Sequence, residues 1–576
     1  MNIRYRASLF CLLLYSPLTL SQTPQITIAG AEAELERNIR AHVVLPVIPC
    51  DASLRRLNRF LPEVRSGITR AARALGFYFL TEESTFTAGE PCWQLSIAVV
   101  PGEPVVINDV RIDILGDQGF ARELLSDLPL RQGEPLNHGA YEQIKSSLSA
   151  AAIENGYFDA RFNRSQLLLD LQQGQADIDI EFAPQARYRF GAVEIQSLDA
   201  LSDDFINRFI EIAPDEPYSS TALLNLRNAL SDSLYFSNVS VTPALDRAQD
   251  QHIPIQVALQ PRPRRVYGAG MGVTTDIGPR VRLDYEDRYV NRRGHHLEAQ
   301  AAASPVQQLL DLDYTIPMRK PATESLRLSV GTVQEDLDTY RTLTSKIGVS
   351  YGHINPFNFQ QNYFVNYQRD DYRIKTSGPD TNDSSDLLIT GTNISRTRAN
   401  DAIYPTVGWR MFAQIRGSSD SLFSSESFTQ FYFSAKGVRQ IGPGRLLVKL
   451  EAGASLIDEV NVLPASVQFF AGGDQSVRGY KYQSLGPRDE FGNVFGGKHM
   501  LTTGVEYDFN IRPSWKMAVF LDAGNAFDNW TDYRLQRGAG LGLRWLSPIG
   551  PVRMDLASAL DDDRHWRLHI TMGPDL

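Results

Sequence analysis

From Val266 to the C-terminus, apolar and polar residues alternate with a period of two, and this repetition restricts the chain more than any other feature. Val281, Leu283 and Tyr285 alternate with Arg282, Asp284 and Glu286, and Val505, Tyr507 and Phe509 with Glu506, Asp508 and Asn510. Leu541, Leu543 and Trp545 alternate with Gly540, Gly542 and Arg544. Successive side chains of a strand point to opposite faces, so each run predicts a strand with one apolar and one polar face. In a water-soluble sandwich the polar face meets solvent; in a membrane barrel it lines the lumen. Alternation alone does not separate the two. Some 310 residues at roughly 20 per strand and turn predict about 16 strands, and a sheet in lipid must close on itself.

Composition sharpens the choice. Beyond residue 25 no segment approaches the ~20 consecutive apolar residues of a membrane-spanning helix, which excludes a helical transporter. With 57 Lys and Arg against 67 Asp and Glu, the net charge of −10 argues against a nucleic-acid partner. Of the 42 glycines, 12 fall in residues 1–261 and 30 in residues 262–576, so the two portions are built by different rules.

The chain opens with Arg4 and Arg6 followed by the apolar run Ala7–Leu20, the layout of a secretory signal peptide over residues 1–21. Cys11 would leave with it. Cys50 and Cys92 then form the sole pair in an exported chain, which favours a disulfide in an oxidising compartment; two buried free thiols are the alternative.

Residues 25–261 carry a weak internal repeat. Helical segments end at Gly76-Phe-Tyr-Phe79, Gly156-Tyr-Phe158 and Leu234-Tyr-Phe236, with 80 residues from Phe77 to Tyr157 and 78 from Tyr157 to Tyr235. Apolar stripes precede them: Leu54, Leu57, Leu61, Val64, Ile68 and Leu75; Tyr141, Ile144, Leu148 and Ala151; Leu223, Leu226, Leu230 and Leu234. Strand patterns at 26–28, 110–115 and 193–195 open the copies, and 95–100, 176–182 and 253–259 close them. Each copy therefore reads strand, helix, helix, strand, strand. This order, with the aromatic pair after the second helix, resembles the POTRA module. The expected domains are three α+β POTRA modules at 22–102, 103–184 and 185–262, then an antiparallel β-barrel at 263–576.

A long insertion contains Phe469-Phe-Ala-Gly472-Gly473-Asp474-Gln-Ser-Val477-Arg478-Gly479-Tyr480. This string resembles the signature of the POTRA-barrel family of outer-membrane assembly factors and two-partner secretion transporters. The module count and the ending Met572–Leu576 are similar to its TamA branch. The resemblance implies that the loop enters the lumen and that Arg478 pairs with Glu506 and Asp522. Both lie on polar-face positions, and a buried guanidinium needs such partners. It also implies the outer membrane as location, the modules in the periplasm, TamB as an inner-membrane-anchored partner, and unfolded outer-membrane and autotransporter proteins as clients.

A barrel's weak point is where its first and last strands meet. Gly268, Gly270 and Gly272 leave one face of the first strand bare, and the last strand, with Trp566, Leu568, Ile570 and Met572 on its apolar face, is short. We expect a seam that opens laterally, lets a client strand pair with the free edge, and passes it into outer-membrane lipid. A secretion pore that passes an unfolded chain through the lumen is the competing expectation. Gly492-Asn-Val-Phe-Gly-Gly-Lys498 fits the start of a phosphate loop, but His499 stands where Ser or Thr is required. No nucleotide, other cofactor, metal or enzymatic activity is expected.

Overall fold

The computed structural model describes residues 23–573 apart from 197, 338–339, 376–380, 489–491, 493, 548–549 and 563–565. The expected signal segment and Pro574–Leu576 lie outside the described residues.

The first module has strands β1 (Gln25–Ala29), β2 (Thr81–Thr87) and β3 (Gln94–Val100) in the order β1-β3-β2, with β1 parallel and β2 antiparallel to β3. Helices α1 (Ala33–His42), α2 (Leu54–Leu57) and α3 (Leu61–Ala74) lie between β1 and β2 in sequence. Leu57, Val64 and Ile68 share a buried core with Leu95, Ile97 and Val99, the inward positions of the central strand. Leu54 departs from the expected stripe and is exposed, because α2 is a separate single turn. Gly76 ends the helical segment with a left-handed φ of +85°, a conformation costly for a residue with a Cβ. A Cys50–Cys92 disulfide ties the loop before α2 to the approach to β3.

The second module repeats the plan with β4 (Val106–Ile114), α4 (Arg122–Ser126), α5 (His138–Glu154), β5 (Arg161–Asp170) and β6 (Gln175–Ala183), in the order β4-β6-β5. Its first strand starts at Val106, four residues before the expected Val110, and shifts register between Ile107 and Asp109, which interrupts the alternation there. Tyr141, Ile144 and Leu148 pack with Ile178, Ile180 and Phe182.

A third small sheet, β7-β9-β8, comprises β7 (Arg189–Ile195), β8 (Phe236–Pro243) and β9 (His252–Pro261), with α6 (Asp203–Asn207) and α7 (Ser220–Ser231) between β7 and β8 in sequence. Leu223, Leu226 and Leu230 are buried, whereas Leu234 lies past the helix end and is exposed.

Sixteen strands, β10 (Arg265–Thr274) to β25 (Trp566–Met572), follow in one antiparallel sheet in which sequence neighbours are spatial neighbours throughout. The apolar positions of the alternating runs, such as Val281, Leu283, Val505, Leu541 and Leu568, are exposed on the outer wall. His499 opens a strand, so no helix follows the Gly-Gly-Lys string. Strand length is greatest far from the ends of the sheet: β17 (Thr381–Ala399) has 19 residues and β25 has 7. Residues Arg208 and Tyr235 are held to the turns at the strand-start end. Tyr235 Oη donates to the Gly294 carbonyl at 2.7 Å, and Arg208 Nη1 donates to the Met318 carbonyl at 3.0 Å.

Candidate functional site: a lumen loop and an unpaired seam

The sheet begins with β10 and ends with β25, and no ladder joins these two among the described residues. Gly268, Gly270 and Gly272 stand opposite Asp284, Arg282 and Arg280 of β11 (Gly278–Asp287), which puts them on the lumen face; a Cβ at Gly270 or Gly272 would meet nothing within 4 Å. On β25, Trp566, Leu568 and Met572 are exposed and Ile570 is half-buried.

The described residues of the segment 457–498, between β20 (Gly444–Leu456) and β21 (His499–Arg512), fold back into the lumen. Arg478 is 7 % exposed. Its Nε donates to Asp522 Oδ2 at 2.7 Å and its Nη2 to Asp522 Oδ1 at 3.1 Å, a planar two-point contact that suits guanidinium and not ammonium. Nη1 donates to Glu506 at 2.7 Å and to Asp555 at 3.0 Å, and the guanidinium carbon stands 3.5 Å from the centre of the Phe520 ring. Glu506 lies on β21, Asp522 on β22 (Trp515–Phe527) and Asp555 on β24 (Gly550–Ala559), so one side chain gathers three strands.

Asp555 and two further cations were not anticipated from the sequence. Arg544, on β23 (Gln536–Ser547), donates to Glu506 at 2.8 Å and to Asp555 at 2.6 Å. Lys449, on β20, lies 3.4 Å from Asp522 and donates to the Ser476 carbonyl at 2.6 Å. Three cations thus face three carboxylates. Burial of so many charges is tolerable only with such balance and with the hydrogen bonds filled. Arg544 sits on the same alternation parity as Gly540 and Gly542, and Asp555 on the lumen parity of its strand. Parity was the available signal.

Glycines clear the space. A Cβ on Gly538 would sit 1.8 Å from the Arg478 carbonyl oxygen, and one on Gly504 would overlap Lys449 and Asp522. Gly472, Gly473 and Gly479 have φ of +100°, +104° and +100°. Gly479 runs so close to Ala559 that a Cβ would sit 2.8 Å from its nitrogen. Val477 is fully buried and packs with Tyr480, Leu485 and Ala559, and Tyr480 Oη donates to Gln536 at 3.0 Å. Asp474 turns away from this network toward the seam strands. The far side of the lumen keeps a cavity of about 950 Å³ lined in part by Arg327, Lys346, Asn366 and Arg416.

Comparison with known proteins follows the same division. Residues 290–575 match the Omp85 superfamily domain, residues 25–101 the family described as POTRA domain TamA domain 1, and residues 105–185 the POTRA family described as surface antigen variable number repeat. The outer membrane protein assembly factor BamA of Nitratidesulfovibrio vulgaris is 23 % identical over 444 residues, covering 73 % of this chain and 55 % of that protein. BamA of Neisseria meningitidis serogroup B is 19 % identical over 506 residues, covering 75 % and 63 %. The chain therefore spans little more than half the length of the curated relatives it matches. The crystal structure of Haemophilus ducreyi BamA lacking POTRA domains 1–3 has the same fold, with a TM-score of 0.66 at 16 % identity, covering 81 % of this chain and 99 % of that one. The barrel resides in the outer membrane, with POTRA domains in the periplasm. Two POTRA domains thus precede a sixteen-stranded barrel with a loop folded into its lumen, and residues 290–575 of that barrel region form an Omp85 superfamily domain.

Proposed function

We propose that this protein is a TamA-type insertase, which helps insert and secrete autotransporters and other β-barrel proteins through the seam between β10 and β25. The observation that carries the reading is that no ladder joins those strands among the described residues, where every other neighbouring pair is hydrogen-bonded. A client's terminal strand can pair with the free edge, template the next hairpin and leave into lipid, with no covalent step. The 7-residue β25 also makes the apolar band thinnest at the seam, which thins the adjoining bilayer and lowers the barrier to insertion. The match of residues 25–101 to a family described as TamA domain 1 supports this branch, and the sheet β7-β9-β8 is read as a third POTRA module. On the same reading the periplasmic modules dock inner-membrane-anchored TamB, through sheet edges able to accept an added strand.

The lumen cavity favours a second reading, a pore for an unfolded exported chain. Photo-crosslinking in living cells separates the two. Probes replace Met271 and Leu568, both exposed on the outer wall beside the seam, and Arg327, which lines the cavity. Adducts with nascent barrel proteins at the two seam positions, and none at wall position Val349, support insertion through the seam. Adducts confined to position 327, with a soluble exported chain, overturn it in favour of the pore.

A further inference from the structure

The loop that is anchored by six charges on one side touches both unpaired strands on the other. Thr275 and Asp276 lie in the turn that leaves β10, and His569 lies on β25. Asp474 Oδ1 accepts from the Thr275 hydroxyl at 2.9 Å and from His569 Nδ1. The Asp474 amide donates to Asp276 Oδ2 at 2.8 Å, and the Ile570 amide donates to Thr275 Oγ1 at 3.2 Å. Among the described residues, the two ends of the sheet are thus bridged at this level by one loop residue, Asp474, and by the direct hydrogen bond between Ile570 and Thr275.

The protonation of this group follows from its donors. The Gly479 amide donates to His569 Nε2 at 2.9 Å, so in the neutral ring Nδ1 carries the hydrogen and donates to Asp474. That leaves no ring lone pair for a cation. Asp474 Oδ1 is then filled, whereas Oδ2 is buried without a hydrogen-bond partner in a side chain only 3 % exposed. An oxygen of Asp276, one of Asp474 and a ring nitrogen of His569 all lie within 4.8 Å of one another. Two ionised carboxylates this close, shielded from water, repel; one proton shared between them turns the repulsion into an attraction.

We propose that Asp474 is a latch across the seam, joining the β10 turn to β25, and that it closes when the Asp276 and Asp474 carboxyls share a proton and loosens when that proton leaves. The latch rests on the seam reading above and adds its control. Burial, and next the Asp474 carboxylate, push Asp276 up to about 7. A carboxyl raised in this way favours the closed state below its ordinary pKa, and the advantage is lost as pH rises from about 4 through about 7. The other charged or titratable groups lining the adjoining cavity do not reverse this sign. Asp336 is held by Lys375 at 2.6 Å, Arg567 donates to the Gly479 carbonyl at 3.3 Å, and Lys481 and Tyr482 lie on the loop itself.

The test is a distance measurement between spin labels on Met271→Cys and Leu568→Cys in the purified full-length protein, at pH 5.5 and 8.5. Retained resistance of the barrel to detergent unfolding serves as the control for folding. The short distance should dominate at pH 5.5, with the open population growing by up to about tenfold per pH unit below pH 7. Asp276→Asn, which cannot ionise but still accepts from the Asp474 amide, should keep the short distance at both pH values, and Asp474→Ala should open the seam at both. A pH-independent distance in the parent, or a pH response in Asp276→Asn equal to the parent's, overturns the latch. Because the readout is the seam itself, a working latch in a protein whose seam yields no client adducts would refute the insertase reading and leave the latch standing.

Discussion

Replacing Arg478 with Ala removes one of three cations and leaves Glu506, Asp522 and Asp555 to be served by Arg544 and Lys449. Asp522 loses both of its guanidinium bonds and retains Lys449 at 3.4 Å, and the site carries one uncompensated negative charge. Breaking a buried pair on one side costs about 3–5 kcal/mol. At about 1.4 kcal/mol per factor of ten, that weakens docking of the loop by some two to four orders of magnitude. Arg478→Lys keeps the charge but cannot face Asp522 at two points while reaching Glu506 and Asp555, so about 2–3 kcal/mol is lost. Arg478→Ala with Asp555→Asn removes one charge of each sign and restores neutrality, so the double variant should fall short of the sum of the singles by about 1.5 kcal/mol or more. Amide exchange at Val477–Tyr480 in the detergent-solubilised barrel reads the docking equilibrium directly. Equal protection in the parent and Arg478→Lys, or strict additivity in the cycle, would refute the claim that a balanced charge network holds the loop.

Gly538→Ala forces a Cβ against the Arg478 carbonyl and should undock the loop without touching a charge, by about 1–3 kcal/mol in the same exchange assay. Gly270→Ala with Gly272→Ala meets open space, so it should leave loop docking intact while stiffening β10 and shortening the seam distance distribution; a wider distribution contradicts the role given to those glycines. Cys92→Ser opens a disulfide with a sequence separation of 42, which the chain-entropy model values at about 4 kcal/mol, and exchange protection should fall in residues 25–101 with the barrel unchanged. His138, whose Nε2 meets Tyr78 Oη at 2.7 Å, is pushed below the ordinary histidine value by burial, against a weaker opposing pull from Glu142. The folded form resists protonation, so protection of α5 should fall as pH drops through about 6.5, and His138→Gln should flatten that dependence.

The elements most readable in the sequence were those whose signal is periodic. Alternation located the barrel strands and identified their lumen faces, and the 80- and 78-residue spacings match the succession of three small sheets. Where β4 shifts register, periodicity fails and the expected strand begins late. Glu506 and Asp522 stand beside Arg478 because a strand's parity fixes the direction of a side chain and a guanidinium requires acids. The same parity held Arg544 and Asp555, and a charge count on the lumen face would have exposed them: Arg478 with two acids alone leaves an imbalance. Asp276, Asp474 and His569 carry no such signal. Their meeting depends on how far a 42-residue insertion folds back and on how the sixteen-stranded sheet curls to bring its two ends together, and both arise only from tertiary structure.

Glycine on the lumen face serves two opposite purposes in this barrel. Gly504, Gly538 and Gly542 are bare because the loop or a charged side chain fills the space a Cβ would take, so they are sites of tight packing. Gly270 and Gly272 are bare beside empty space, so nothing there stiffens β10. The loop therefore binds firmly to β21–β24 through a balanced set of buried ion pairs, and lightly to the seam through a few hydrogen bonds around one carboxyl pair. That asymmetry decides what moves. In the proposed opening, the contacts at Asp474 would break long before those at Arg478, so the loop would stay with the last strands' neighbours and β10 would swing free with its turn. A loop held equally on both sides would have to leave the lumen for the seam to open, and the barrel would lose its filling each time.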